Sequence, residues 1–169
     1  LTLYYVGCES GDDLVLERVS KGETFASSLA ALEKIKAAGA QSSVMILNGL
    51  GGRRYSQQHA VNSARLMNAA QPEFLSTLVV SFPTGDARFR AGYEGDFEPL
   101  DQRGLFLEMR WLLETLELDR TIFRSDHASN YLVLKGTLNA DRDRLLGRVQ
   151  AAIDTPDAMP LREEWQRGL

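Results

Sequence analysis

The sequence predicts an α/β fold, a parallel sheet with helical crossovers built from about four strand–helix units. Two observations carry this. Short apolar runs bounded by turn residues alternate with longer stretches whose apolar residues recur every three or four positions. Polar or glycine-rich loops follow the apolar runs, as expected where strands end at a functional rim. The length of 169 residues and a hydrophobic content of 44% suit one compact domain with a sizeable core.

The first strand is expected over Leu3 to Cys8, with Asp12 capping a short helix from Asp13 to Val19. Phe25, Leu29, Leu32 and Ile35 form one face of a second helix that Gly39 ends. Ser43 to Leu47 reads as the second strand. After the loop Asn48-Gly49-Leu50-Gly51-Gly52, Ser56 is expected to cap a helix reaching about Ala70, where Pro72 prevents continuation. The third strand is expected over Leu75 to Phe82. Pro83, Gly85, Gly92, Gly95 and Pro99 then mark a longer loop. Leu105, Met109, Leu112 and Leu116 stripe the next helix, and Thr121 to Arg124 gives a fourth, short strand. Asn139 is expected to cap a last helix carrying Leu145, Val149 and Ile153. The first unit spans 3–154, and 155–169 is a tail or peripheral helix.

Four such units are too few for a closed eight-stranded barrel, and a sheet with free ends exposes unpaired backbone edges. The piece is therefore expected to pair with something. Because it starts at Leu1 and enters a strand at once, it reads as a segment of a longer protein. The formal charge is −4 with signs interspersed, so nothing supports nucleic acid. No apolar run is long enough for a membrane span and no signal peptide is evident. A single cysteine, Cys8, fits a reducing cytoplasmic setting and rules out an internal disulfide.

The residues with chemical capacity fall after the strands. Glu9 follows the first, and an ionised carboxylate there can accept from a sugar diol or simply face solvent or a helix N-terminus. Lys21, twelve positions on, is a cation near that site or a solvated surface residue. Cys8 reads as a small core residue pointing away from Glu9. The glycines after Asn48 invite comparison with phosphate loops, or simply make a tight βα turn that needs positive φ. Arg54 stands where a dinucleotide fingerprint needs glycine, and no Lys-Ser/Thr pair follows. Phe82-Pro83-Thr84-Gly85 follows the third strand. Arg88 and Arg90 either reach an anionic substrate or are solvated. Arg124-Ser125-Asp126-His127-Ala128-Ser129-Asn130-Tyr131 is dense in hydrogen-bonding groups, and is either a ligand-facing loop or an Asx-type turn. His59 and His127 are the only histidines and lack zinc-ligand spacing.

Tyr5-Val6-Gly7-Cys8-Glu9-Ser10-Gly11-Asp12-Asp13, the Asn48-Gly52 loop and the Arg124-Tyr131 segment, in this order over residues 3 to 150, resemble the later half of a radical S-adenosylmethionine enzyme. The resemblance extends to the oxygen-independent coproporphyrinogen oxidases and the methylthiotransferases. It implies a partial TIM-type (βα) barrel, the C-terminal half of that core. By the same resemblance Glu9 contacts the cofactor ribose, and Lys21 stands where an arginine pairs with the methionine carboxylate. Asn48 and Gly49 let the cofactor lie against a strand end, and Phe82 borders the adenine. Arg124, Asp126, His127 and Asn130 are implied to face the substrate.

The implied cofactors are S-adenosylmethionine and a 4Fe–4S cluster whose three cysteines lie outside this chain, since thiolates are its ligands and only Cys8 is present. The implied partner is the N-terminal half of the same barrel, with an unknown small-molecule or macromolecular substrate. The alternative is a half-barrel small-molecule binding module that self-associates as a homodimer. A sugar-phosphate TIM-barrel enzyme would need a catalytic lysine or acid pair at strand ends, where only Glu9 and Asp126 qualify.

Overall fold

The computed structural model describes residues 2–82 and 85–167. Five strands form one sheet in the order β1 (Leu3–Glu9), β2 (Gln41–Asn48), β3 (Phe74–Val79), β4 (Ile122–Ser125) and β5 (Leu134–Thr137). The first four are parallel and β5 is antiparallel to β4. The chain is therefore α/β, with one more strand than the expected units supply. β5 was hidden because Leu134-Lys135-Gly136-Thr137 is short and carries one strongly apolar residue.

The helices are α1 (Asp13–Arg18), α2 (Phe25–Ala37), α3 (Gly52–Ala70), α4 (Ala87–Gly92), α5 (Gln102–Thr115) and α6 (Arg142–Asp154). Two cap assignments from the sequence are corrected. Gly51 precedes α3, so Ser56 lies inside the helix, where its hydroxyl serves a buried carboxylate. Asp141 precedes α6, and Asn139 sits at positive φ in the preceding turn. Asp141 instead accepts from the Thr137 amide at 2.8 Å, closing the β5–α6 turn. The third strand stops at Val79 rather than Phe82, so Phe82 joins an aromatic cluster with Phe89 and Phe97 at 4.7 and 5.7 Å between ring centroids.

Strand order follows chain order, and crossovers of a single hand then place their helices on one sheet face. The packing agrees: α2 meets α3, α3 meets α5, and α5 meets α6. Side chains alternate along each strand. Those directed at the helices, Cys8, Val44, Ile46, Leu75, Phe123 and Leu134, belong to the core with Leu66, Met67, Leu112, Leu113 and Val149.

The intervening residues form the opposite face, which no helix layer covers among the described residues. Register aligns them in rows. Tyr5, Ser43, Phe74, Ile122 and Thr137 make one; Gly7, Met45, Ser76, Arg124 and Lys135 make the next; Leu47 and Leu78 lie above. Tyr5 is 74% exposed, although an aromatic residue in mid-strand ordinarily packs against something.

Candidate functional site

The site grows from the turn after β1. Ser10, Gly11 and Asp12 are buried there against α3. The Gly11 amide donates to Ser63 Oγ at 2.9 Å, and a Cβ on Gly11 would overlap the Asn62 backbone and lie 2.8 Å from Ser63 Cα. Asp12 caps α1 through the Val15 amide at 3.0 Å and accepts from Gln58 and from Asn62 Nδ2, the latter at 2.6 Å. Gly11→Ala is expected to destabilise the fold by about 2 kcal/mol, because backbone cannot give way as a side-chain tip can. Urea unfolding checks this, and an unchanged midpoint would contradict the close approach.

A buried polar network then ties this turn to the one after β2. Ser10 Oγ accepts from the Asp12 amide and lies 2.8 Å from His59 Nδ1; His59 Nε2 meets the Leu47 carbonyl at 3.0 Å. Nε2 donates to that carbonyl, whose oxygen can only accept, and Ser10 Oγ closes the other side of the ring. Glu108 on α5 accepts from the Gly49 amide at 2.6 Å and from the Ser56 hydroxyl at 2.5 Å, with His59 Nε2 3.8 Å away. Burial pushes its carboxyl above the usual range, against the opposing pull of His59, Ser56 and the Gly49 amide. Gly49 itself has φ of 86°, the left-handed region where a side chain is strained.

Glu9 is treated differently from Asp12. It has φ of 63° beside a register shift in the β1–β2 ladder, and shares the uncovered face with Gly7. A Cβ on Gly7 would overlap the Glu9 carboxylate and lie 3.8 Å from Lys21 Nζ. The acid and its cation, 3.4 Å apart, thus fold back over Gly7 on the face without helices. Cys8 points the other way, 3% exposed in the core, and burial pushes its thiol up to about 11. It is expected to react with a disulfide reagent at pH 8 only on unfolding. Rapid labelling of the native chain would contradict that placement.

The sequence-expected residues divide between the two sides of the sheet. Glu9, Lys21 and Arg124 lie on or over the uncovered face. Asn48 is buried at the end of β2 in line with Val44 and Ile46, and lines a cavity of about 20 Å³ with Ser125 and Asn130. Asn130 donates to the Thr77 carbonyl at 2.8 Å, while its Oδ1 and Thr77 Oγ1 have no partner among the described residues. His127 is exposed, and its Nδ1 lies 2.9 Å from Ser129 Oγ and accepts from the Ser129 amide, a local turn. Asp126 pairs with Lys135 at 2.7 Å, and that hydrogen bond holds its carboxyl below the usual range. Phe82 lines an open cleft of about 360 Å³ with Gly49, Val80, Leu100, Tyr131 and Arg167. Pro83 and Thr84 of the same motif lie outside the described residues.

Sequence reasoning missed the residues that hold the 126–131 loop. The Arg162 guanidinium donates to the carbonyls of His127, Asn130 and Asp126 at 2.6, 3.0 and 3.2 Å. Arg167 donates to Ser129 O at 2.8 Å and stacks 3.7 Å over the Tyr131 ring, whose hydroxyl bonds Glu164. Loop carbonyls carry no sequence signal, so only the arginines could have been noticed. The missed network residue with a legible signal is Glu108, an acid on the apolar side of the Leu105–Leu112 stripe.

Among the described residues no group of three or more histidine, cysteine or acidic side chains could hold a metal ion, and no helix is long and apolar enough to cross a membrane. The fold and rim define an α/β chain whose mostly parallel sheet is covered by helices on one side among the described residues. Compared with protein-family models, curated proteins and solved structures, the chain matches none.

Proposed function

We propose that this chain is the C-terminal half of a radical S-adenosylmethionine barrel, supplying the cofactor ribose contact and one wall of the substrate cavity. The observation that carries the reading is the Glu9–Lys21 pair folded over Gly7 on the uncovered face, at the C-terminal end of a parallel strand. Functional groups of βα barrels occupy that end. Half of such a barrel would present to its missing strands a sheet with helices on one side and, on the other, a helix-free face of mixed apolar and polar residues. The N-terminal half of the barrel is the proposed partner for that face and for the free edge of β1.

The residues fit S-adenosylmethionine in part. Glu9 offers a second carboxylate oxygen beyond the one Lys21 engages, enough to accept from a ribose hydroxyl. Lys21 offers the methionine carboxylate a point charge, without the planar fork an arginine has. The residues do not fit the cluster. The one cysteine is buried on the helix side with its thiol protonated, so cluster ligands must come from polypeptide beyond this chain. When bound, S-adenosylmethionine would supply the radical chemistry. The chain's own residues would orient the cofactor and exclude water over the sheet.

The decisive experiment expresses the full reading frame, reconstitutes it anaerobically with iron and sulfide, and measures 5′-deoxyadenosine formed from S-adenosylmethionine under reductant. Release that falls by about tenfold or more in Glu9→Ala is expected, the scale of losing a charged hydrogen bond. No cluster and no release would turn the reading to a self-associating half-barrel binding module. The same uncovered face favours that module, and a dimer of the isolated chain in sedimentation would support it.

A further inference from the structure

We infer that the uncovered sheet face holds an anionic head group at Arg124, so that the ligand is a carboxylate or phosphate monoester carried on an apolar body. The inference rests on the proposed function for its link to catalysis, but the site stands on its own geometry. Arg124 lies directly across the antiparallel β4–β5 pair from Lys135. Like charges so placed repel, and an anion bound between them would relieve that repulsion. The one acid there, Asp126, is bonded to Lys135 at 2.7 Å. Arg124 has no hydrogen-bond or ion-pair partner among the described residues, although its charge helps hold Asp126 ionised. Two cations and one carboxylate leave a net positive charge on a face that is otherwise mainly apolar, and a guanidinium fork matches a carboxylate or phosphate.

Register says where the rest of the ligand goes. Arg124, Ser76, Met45 and Gly7 are consecutive members of one row across β4, β3, β2 and β1. The row spans three inter-strand spacings, about 14 Å. At its far end Glu9 and Lys21 lie over Gly7. An apolar body anchored at Arg124 would lie over Ser76 and Met45, beside Phe74 and Leu78, and point toward the acid assigned to the ribose. The small Ser76 keeps the row open between the two charged ends. A protein partner would need acids aimed at one arginine, whereas a small amphiphile matches both the lone charge and the apolar run.

The methionines provide the test. Of the four, Met67 and Met109 are in the core and Met159 packs against it, while Met45 lies on the uncovered face. With ¹³C-methyl methionine in the chain, octanoate and octyl phosphate are titrated separately, with inorganic phosphate as a third arm. The Met45 resonance is expected to shift saturably with at least one amphiphile while the other three stay fixed. Arg124→Gln should weaken that titration by about tenfold, Arg124→Lys by less, and Lys36→Gln on α2 not at all. The tighter amphiphile identifies the head group. Shifts with inorganic phosphate that are confined to the β4–β5 region in a ¹H–¹⁵N spectrum would support the anion site. A silent Met45, or one that titrates equally well in Arg124→Gln, overturns the inference. Unchanged core methyl positions verify that the variant is folded. Titrating 5′-deoxyadenosine into the wild-type chain reads the ribose contact separately, so failure of the radical reading and failure of the anion site are distinguishable.

Discussion

Replacing Glu108 by leucine is expected to destabilise the chain by about 3 kcal/mol, whereas glutamine should cost about 1 kcal/mol. Leucine suits an apolar helix face, so propensity would suggest the reverse. The cost arises because the Gly49 amide and the Ser56 hydroxyl both end on this carboxylate, and each would be left buried without an acceptor. Glutamine retains one oxygen for the amide and can donate to the serine oxygen. Urea unfolding at neutral pH, followed by far-ultraviolet circular dichroism, distinguishes the two. A leucine variant as stable as wild type would remove the buried network from the account of the fold. The pH dependence has a definite sign. The folded carboxyl titrates above its unfolded value, so its contribution to stability is fullest below the ordinary glutamate range. It is lost as pH rises through the folded value, and Glu108→Gln should flatten that slope.

Gly7→Ala is expected to do the opposite, leaving stability within about 1 kcal/mol of wild type while weakening 5′-deoxyadenosine binding by about tenfold. The new methyl would meet the tip of the Glu9 side chain rather than backbone, so the fold can yield by moving the carboxylate. That movement separates Glu9 from Lys21 and takes it off the face where a ribose would lie. Calorimetric titration of the nucleoside, with parallel thermal melts, checks both halves. Undiminished binding would argue against Glu9 as the ribose contact, and a large loss of stability would mean that the glycine is needed for packing.

The strand and helix succession was legible because β1 to β3 are apolar runs closed by turn residues and α2, α5 and α6 carry clear stripes. Boundaries were less so. Ser56 resembles a cap, but α3 begins four residues earlier, where the β2 turn is held by Glu108 and by Tyr93 donating to the Leu50 carbonyl at 2.6 Å. Those contacts join residues more than forty positions apart and leave no local trace. Glu9 and Cys8 were readable as opposite-facing neighbours because strand alternation is a local rule. Asn130 was not placed by any such rule. It lies in a loop, and its partner, the Thr77 carbonyl, belongs to a strand fifty-three residues away. Lys135 was unreadable as a neighbour of Arg124 until β5 was known to return antiparallel.

The segment after α6 changes where the domain can be cut. Its two 3₁₀ turns, Pro156–Ala158 and Glu164–Gln166, look dispensable in composition, and a boundary at Asp154 would keep every helix and strand. Yet Arg162 and Arg167 fasten the β4–β5 loop through its carbonyls, and Arg167 lines the rim cleft together with Tyr131. A shortened gene product would keep its sheet and lose the shape of its rim. Expression designs and fusion junctions therefore belong beyond Arg167, and a truncation series should register first in the nuclear magnetic resonance signals of residues 126–131, ahead of any change in melting temperature.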